Sequence, residues 1–396
     1  MPDTRRFLLL AHNVVETGTY IRFYGLARGL AALGHRVTLI AASANRSRGT
    51  REFDSHGIRL ILTPGWIHRR LRNGGVSPED VVVRLAHVLS HQYDLVHASE
   101  HRPAASLPAL AARAKYGAKY ISDWADLWGL EGIAGERAWA IRHLLAGPET
   151  YFEGRVHRLA DAVTAICTDL YSRAVSLGVP ESRLLLLPNG VDTDLVKPIS
   201  NRELVRSSLG VPADCKLLVY AGLAPIDMDL IWESFKQVHD RRQDVFLLVL
   251  GRKWPLLDRL GQAAQHVVQV GHLPMLQFAA ALGCGDIMLL PYRDCSRNRG
   301  RWPGKVAFYM AVGRPTVSNP TGDVKMLMEQ YGVGLLAGEE PKEFAGAILE
   351  LLENERLAEQ IGRRARATAE EVFSWSVLAS STERFYSSVL EERKGR

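Results

Sequence analysis

Cysteine is scarce in this 396-residue chain. Cys167, Cys215, Cys284 and Cys295 show neither C-x-x-C spacing nor the density of a disulfide-stapled secreted scaffold, so a reducing, cytoplasmic compartment is expected. Long apolar runs are missing too. No stretch reaches the length of about 18 apolar residues that a membrane-spanning helix needs. The run Phe7–Ala11 is too short for a signal-peptide core, and Asp3 sits in front of it. Low-complexity tracts are absent, and with 47% apolar and 23% charged residues the chain has the means to bury a core. The net charge of +6 is spread thinly, which argues against nucleic acid as a partner. Histidine alone is uneven, with ten of thirteen before Leu195.

What is present is alternation of strand and helix. Arg5–Ala11 is a continuous apolar run, as in a parallel strand buried on both faces. Tyr20–Leu33 then carries apolar residues at helical spacing, closed by Gly34. Arg36–Ala41, Ile58–Thr63, Asp94–His97, Lys119–Ser122, Ala162–Ile166 and Arg183–Leu187 read as further strands. The grammar restarts at Lys216–Gly222 and continues through Val245–Gly251, Val267–Val270, Asp286–Pro291, Pro315–Ser318 and Gly334–Ala337. The expected architecture is α/β: two doubly wound, Rossmann-like domains facing across a cleft. Pro188, Gly190 and Pro198 punctuate the join. Residues 1–195 form the first domain and 196–374 the second, and a last helix, 375–396, returns to the first.

Open parallel sheets bind ligands beyond the carboxyl ends of their strands, so the loops there carry the chemistry. The first turn, His12–Thr19, lacks G-x-G-x-x-G; Gly18 and Thr19 either approach a phosphate or sugar closely or make a plain turn. Glu16 lies in the same turn. Ser122–Trp128 places Asp123, Trp124, Asp126 and Trp128 at a strand end, a set that suits sugar hydroxyls and a stacked pyranose face, or a capped helix start with core tryptophans. His12, His97 and His101 follow strand ends, and His97 is the preferred polar cleft residue. In the second half Arg252 and Lys253 follow one strand. Arg293, Arg297, Arg299, Arg301 and Lys305 follow another, with Trp302 among them to stack or to brace the loop. Guanidinium forks there suit a diphosphate. Gly322 and Asp323 follow a third strand and either read sugar hydroxyls or make a turn. Asp227-Met-Asp229 has the D-x-D form of a metal holder, but acidic residues opening a helix also favour its dipole, and no metal is expected. Trp66–Arg72 is either a solvated loop or a basic-aromatic patch able to dock on anionic lipid at the inner face of the membrane.

Pro188-Asn-Gly-Val-Asp192, Gly34-His-Arg-Val37, Tyr309–Pro315 and Phe373-Ser-Trp375, in this order and spacing, resemble the retaining glycosyltransferases of family 4 over nearly the whole chain. The resemblance implies the GT-B fold. It also implies a nucleotide-diphosphate sugar as donor, held mainly by the second domain, and a glycan, lipid or small-molecule acceptor held by the first. No cofactor and no obligatory metal are implied. On this reading Gly18, Thr19, Arg252, Lys253, Arg301, Lys305, Gly322 and Asp323 bind the donor. Glu16, Asp123, Trp124 and Trp128 bind the acceptor, and Asp126 and His97 are catalytic. Departures stand beside these matches. The family's donor-phosphate Arg and Lys fall on Leu223 and Met228, its paired glutamates on Gly300 and Phe308, and the His of its H-D pair on Ala125, with the Asp kept as Asp126. Cations moved to Arg293–Lys305 would still meet the charge that grows on a departing diphosphate. The alternative is a pseudoenzyme that kept the fold; a metal-free GT-B nucleotide-sugar epimerase is a third reading.

Overall fold

The computed structural model describes residues 4–222, 228–255 and 258–392. They divide into two compact units. One comprises Met1–Asn189, Gly300–Trp302 and Trp375–Arg396, the other Gly190–Arg299 and Pro303–Ser374.

The first unit is built on eight strands: β1 (Arg6–Val14), β2 (Arg36–Ala42), β3 (Arg51–Ser55), β4 (Ile58–Thr63), β5 (Leu95–Ser99), β6 (Lys119–Trp124), β7 (Ala162–Ala165) and β8 (Leu184–Leu186). Their order is β3-β4-β2-β1-β5-β6-β7-β8, and only β3 runs antiparallel. Order reverses between β1 and β5, so the loops after these two strands flank the switch point where ligands of such sheets sit. Sequence reading did not anticipate β3. Arg51-Glu-Phe-Asp-Ser55 has no apolar face, being an exposed edge whose charges discourage further pairing.

The second unit carries β9 (Lys216–Gly222), β10 (Val245–Gly251), β11 (Val267–Val270), β12 (Ile287–Leu290), β13 (Thr316–Ser318) and β14 (Gly334–Leu336). All are parallel in the order β11-β10-β9-β12-β13-β14. The switch point falls between β9 and β12, beside the loop that starts at Pro291. The helix Pro341–Glu353 packs on the helix Met228–Arg241 through Trp232, Phe235, Phe344 and Ile348, all buried.

The last helix, Trp375–Glu391, belongs to the first unit and crosses the helix Thr19–Ala32 at its glycines. A Cβ on Gly25 would stand 2.3 Å from the Trp375 ring, and one on Gly29 2.4 Å from the Ala379 Cβ. Both positions are therefore glycine because the helices touch there.

Gly25→Ala is expected to cost about 1–3 kcal/mol of stability through overpacking. Combined with Trp375→Ala, it should cost less than the sum of the two single changes in urea unfolding. Strict additivity would contradict the close contact.

Candidate functional site

Polar side chains concentrate at the carboxyl ends of β1, β5 and β6. Asp123 in β6 is fully buried, and Arg22 of the helix Thr19–Ala32 grips both its oxygens, Nε to Oδ2 and Nη2 to Oδ1, each at 2.9 Å. Arg22 also donates to the carbonyls of Leu187 and Pro188. Burial works against charge on Asp123, but Arg22 prevails and holds the carboxyl below its ordinary value.

His97 lies within β5 rather than beyond its end, and it is wholly buried. Its Nδ1 is 2.6 Å from the Tyr386 hydroxyl and its Nε2 2.9 Å from Thr164 Oγ1, which in turn donates to Asp123 at 2.6 Å. A chain of donors from Tyr386 to Asp123 fits a neutral imidazole, and burial pushes His97 down to about 4. The expectation of a catalytic cleft histidine is corrected: His97 ties the last helix to the sheet.

Glu100 begins the loop after β5 with φ 60, a left-handed backbone that costs a non-glycine residue about 1 kcal/mol or more. Its Oε1 accepts from the N–H groups of Ala125 and Asp126 at 2.8 and 2.9 Å, while its buried Oε2 has no hydrogen-bond partner among the described residues. Burial, followed by the charges of Asp126 and Asp123, pushes this carboxyl well above its ordinary value. Asp126 is bridged through the backbone to Arg301, and Leu127 N–H donates to Gly300 O at 3.2 Å. Burial raises Asp126 to about 6 against the pull of Arg301.

The helix Trp139–Leu159 supplies a third set that sequence reading missed. Glu149, Glu153 and His157, four residues apart, share one helical face, and that spacing was the available signal. Glu153 accepts from Trp124 Nε1 and Trp128 N–H at 2.9 Å and from Gly129 N–H at 2.8 Å. Glu149 meets Arg102 and Arg137 at 2.7 Å. Burial opposes its charge, but His101, Arg102 and Arg137 together draw it down to about 2. His157 lies flat on the Trp124 ring, centroids 4.3 Å apart, and burial pushes it down to about 3. The Arg102 guanidinium sits 3.5 Å above Trp128, whose edge contacts include His12 and His101.

These contacts sort the expected acceptor residues. Asp123 and Trp124 are buried and engaged by Arg22, His157 and Glu153, so both are corrected to framework. Trp128 is half-buried and Glu16 exposed at φ 66. In the same turn Gly18 is exposed, but Asn13 Oδ1 already accepts from Thr19 N–H and Oγ1 at 2.7 and 2.8 Å. The chain itself thus caps that helix start, which leaves Thr19 a capped turn residue.

In the second unit, Arg293 pairs with Asp229 at 3.0 Å and Arg299 with Asp294 at 2.7 Å. Two of the five expected cations are therefore already neutralised. Arg301 packs with the first unit instead, and Trp302 is buried, bracing the loop. Lys305 is half-buried, its Nζ 4.8 Å from the Tyr220 ring centroid. Arg252 and Lys253 are exposed, with Arg252 over Trp254. Gly322, exposed at φ 52, opens the helix Gly322–Tyr331, and Asp323 is buried in its first turn. Leu223 and Asp227 lie outside the described residues. In the basic-aromatic patch Trp66 and Leu71 are exposed, but Arg72 is buried, donating to Ile67 O and Ser43 O, and so leaves the patch.

Residues 17–190 match the family model of a glycosyl transferase 4-like domain, and residues 215–354 that of glycosyl transferases group 1. Spore coat protein SA of Bacillus subtilis (strain 168) is 23% identical over 190 residues, 46% of this chain. That match spans 50% of the length of this curated relative. In fold the chain is similar to a sucrose-phosphate synthase from Thermosynechococcus elongatus, with a TM-score of 0.76, 17% identity and coverage of 98% and 100%. It is also similar to HepE from Anabaena in complex with UDP and glucose, with a TM-score of 0.70, 16% identity and coverage of 97% and 100%. The fold is GT-B. No helix among the described residues is long and apolar enough to cross a membrane.

The neutral state of His97 has a consequence for stability. Unfolded, this imidazole takes a proton near pH 6.5, but folded only near 4, so stability on the order of 3 kcal/mol is present above pH 6.5 and lost as pH falls toward 4. The groups facing it are Asp123, Arg22, Tyr386 and Thr164. The urea midpoint should fall more steeply over that window in the wild type than in His97→Gln; equal slopes would contradict the assignment.

Proposed function

The chain belongs to the glycosyltransferases, with a 4-like domain followed by a group 1 domain, and from that premise we propose that it moves a sugar from a nucleoside diphosphate donor to an acceptor with retention. The observation that carries the donor assignment is the placement of the loop after β12. It leaves the second sheet at its switch point, and Lys305, which follows it, stands over the ring of Tyr220 in β9. Arg252 and Lys253 follow β10, which pairs with β9 on the other side of the switch point.

Retaining transfer develops positive charge on the sugar and negative charge on the departing diphosphate. Fixed cations near that diphosphate lower the barrier because they meet charge only as it forms. Lys305, on a rigid helix and braced by Tyr220, supplies such a charge. The lysine replaces cations the family keeps at positions occupied here by Leu223 and Met228. Donor phosphates neutralised by side chains need no bridging metal, and the expected nucleotide binding is metal-independent. In the first unit, half-buried Trp128 and Asp126 follow β6 at the strand ends where an acceptor would lie, Asp126 offering a hydroxyl partner. The acceptor classes are a glycan, a lipid or a small molecule. Exposed Trp66, Leu71, Arg69 and Arg70 suit peripheral contact with an anionic membrane carrying a lipid acceptor.

One observation favours an inactive relative instead: the ion pairs Arg293–Asp229 and Arg299–Asp294 withdraw two cations from any ligand. Calorimetry with UDP, GDP, dTDP and ADP sugars in the presence of a chelator decides between the readings. One of the four should bind, and Lys305→Ala should weaken it by about tenfold or more, equivalent to about 1.4 kcal/mol. Failure of all four to bind would remove the donor site and leave the pseudoenzyme.

A further inference from the structure

We propose that Glu100, His101 and His157 of the first unit form a site for one borderline first-row divalent cation, Zn2+ or its analogue Co2+. The three side chains come from the loop after β5 and from the helix Trp139–Leu159, and all three are more than nine-tenths buried. Each offers a ligand atom, and these atoms lie within 4.8 Å of one another. Ligands about 2.0–2.2 Å from Zn2+ in a tetrahedron stand about 3.4 Å apart, so side-chain rotations of under about 1 Å each complete the site.

The orphaned atoms are the independent reason to place an ion here. Glu100 Oε2, His101 Nδ1 and His157 Nε2 are buried without a hydrogen-bond partner among the described residues. Each buried polar atom left unpaired keeps its full desolvation cost, and here three of them converge on one spot. His101 Nε2 faces Glu149 Oε1 at 3.8 Å, so Nδ1 is the ring nitrogen left over. One cation would satisfy Glu100, His101 and His157 together.

The surroundings are those of a ligand set held in place. The Ser122 hydroxyl sits 2.9 Å from His157 Nδ1, leaving Nε2 as the nitrogen with no partner, and the Trp124 ring fixes the imidazole plane. Glu100 Oε1 is anchored by two backbone N–H groups, which leaves Oε2 for the ion. Charge also fits. Arg22 is matched by Asp123, Arg102 by Glu149, and Arg301 faces Asp126, whereas Glu100 has no cationic side chain paired with it among the described residues. Two imidazoles and one carboxylate suit Zn2+ or Co2+ and disfavour Mg2+ and Ca2+, which prefer oxygen. Bound there, the cation would hold Glu100 in its strained backbone and, through it, the Ala125–Asp126 segment. This departs from the expectation of a metal-free chain but leaves donor binding as proposed, because no phosphate ligand is involved.

The test uses the untagged full chain after chelator treatment, titrated with Co2+ and Zn2+ by calorimetry and visible absorption. One Co2+ per chain with d–d bands of a four- or five-coordinate site, and a rise in melting temperature with Zn2+ but not Mg2+, are expected. Glu100→Gln and His101→Asn should each weaken binding by about tenfold or more, with the circular dichroism and urea midpoint of each metal-free variant showing that it folds. No stoichiometric binding by the wild type, or binding unchanged in both variants, would overturn the site. Nucleotide binding measured in the same chelator-treated protein is independent of either outcome.

Discussion

The first unit depends on one buried ion pair. Asp123 sits without access to water at the end of a central strand, and only a partner as well matched as Arg22 keeps its charge there. Breaking such a pair strands a charge in the interior, which is far costlier than never having placed it. Arg22 reaches from the first helix to Asp123 and on to the backbone at Leu187 and Pro188, so one guanidinium fastens the start, middle and end of the unit. Thr164, His97 and Tyr386 extend the same network to the last helix.

Around that pair the strand ends carry more carboxylates than a soluble core tolerates unless each is accounted for. Asp123, Glu149 and Glu153 are satisfied by guanidinium groups or by backbone and indole N–H groups. Asp126 and Glu100 are not matched so well, and burial pushes both toward their protonated forms. The strain at Glu100 belongs to the same picture, since a non-glycine left-handed residue persists only where its surroundings insist on it. The two imperfectly matched carboxyls lie beyond the carboxyl ends of β5 and β6.

Short continuous apolar runs bounded by turn residues made most of the fold legible, because that length and punctuation suit a strand buried on both faces better than a helix. The short edge β3 escaped for want of any apolar face. Side-chain roles were harder to read from sequence than fold. His97, Asp123 and Trp124 looked like ligand-facing groups because they follow strands, but one-residue alternation along a strand decides whether a side chain meets the core or the loop. Glu149, Glu153 and His157 lay in a helix with no strand-end signal, and their four-residue spacing gains meaning only once Glu100 and Trp124 are seen opposite. The cation cluster of Arg293–Lys305 was visible in sequence, but its partial neutralisation was not, since Asp229 comes from 64 residues away.

The central claim is that a sugar leaves a nucleotide on this chain and arrives on another molecule. The direct measurement is release of nucleoside diphosphate from the bound nucleotide sugar, followed by phosphorus NMR with and without candidate glycan and lipid acceptors. The account predicts release that depends on an acceptor, with the sugar retained in its anomeric configuration on the product. Interconversion of the nucleotide sugar alone, or no turnover with a tightly bound donor and every acceptor class, would contradict it.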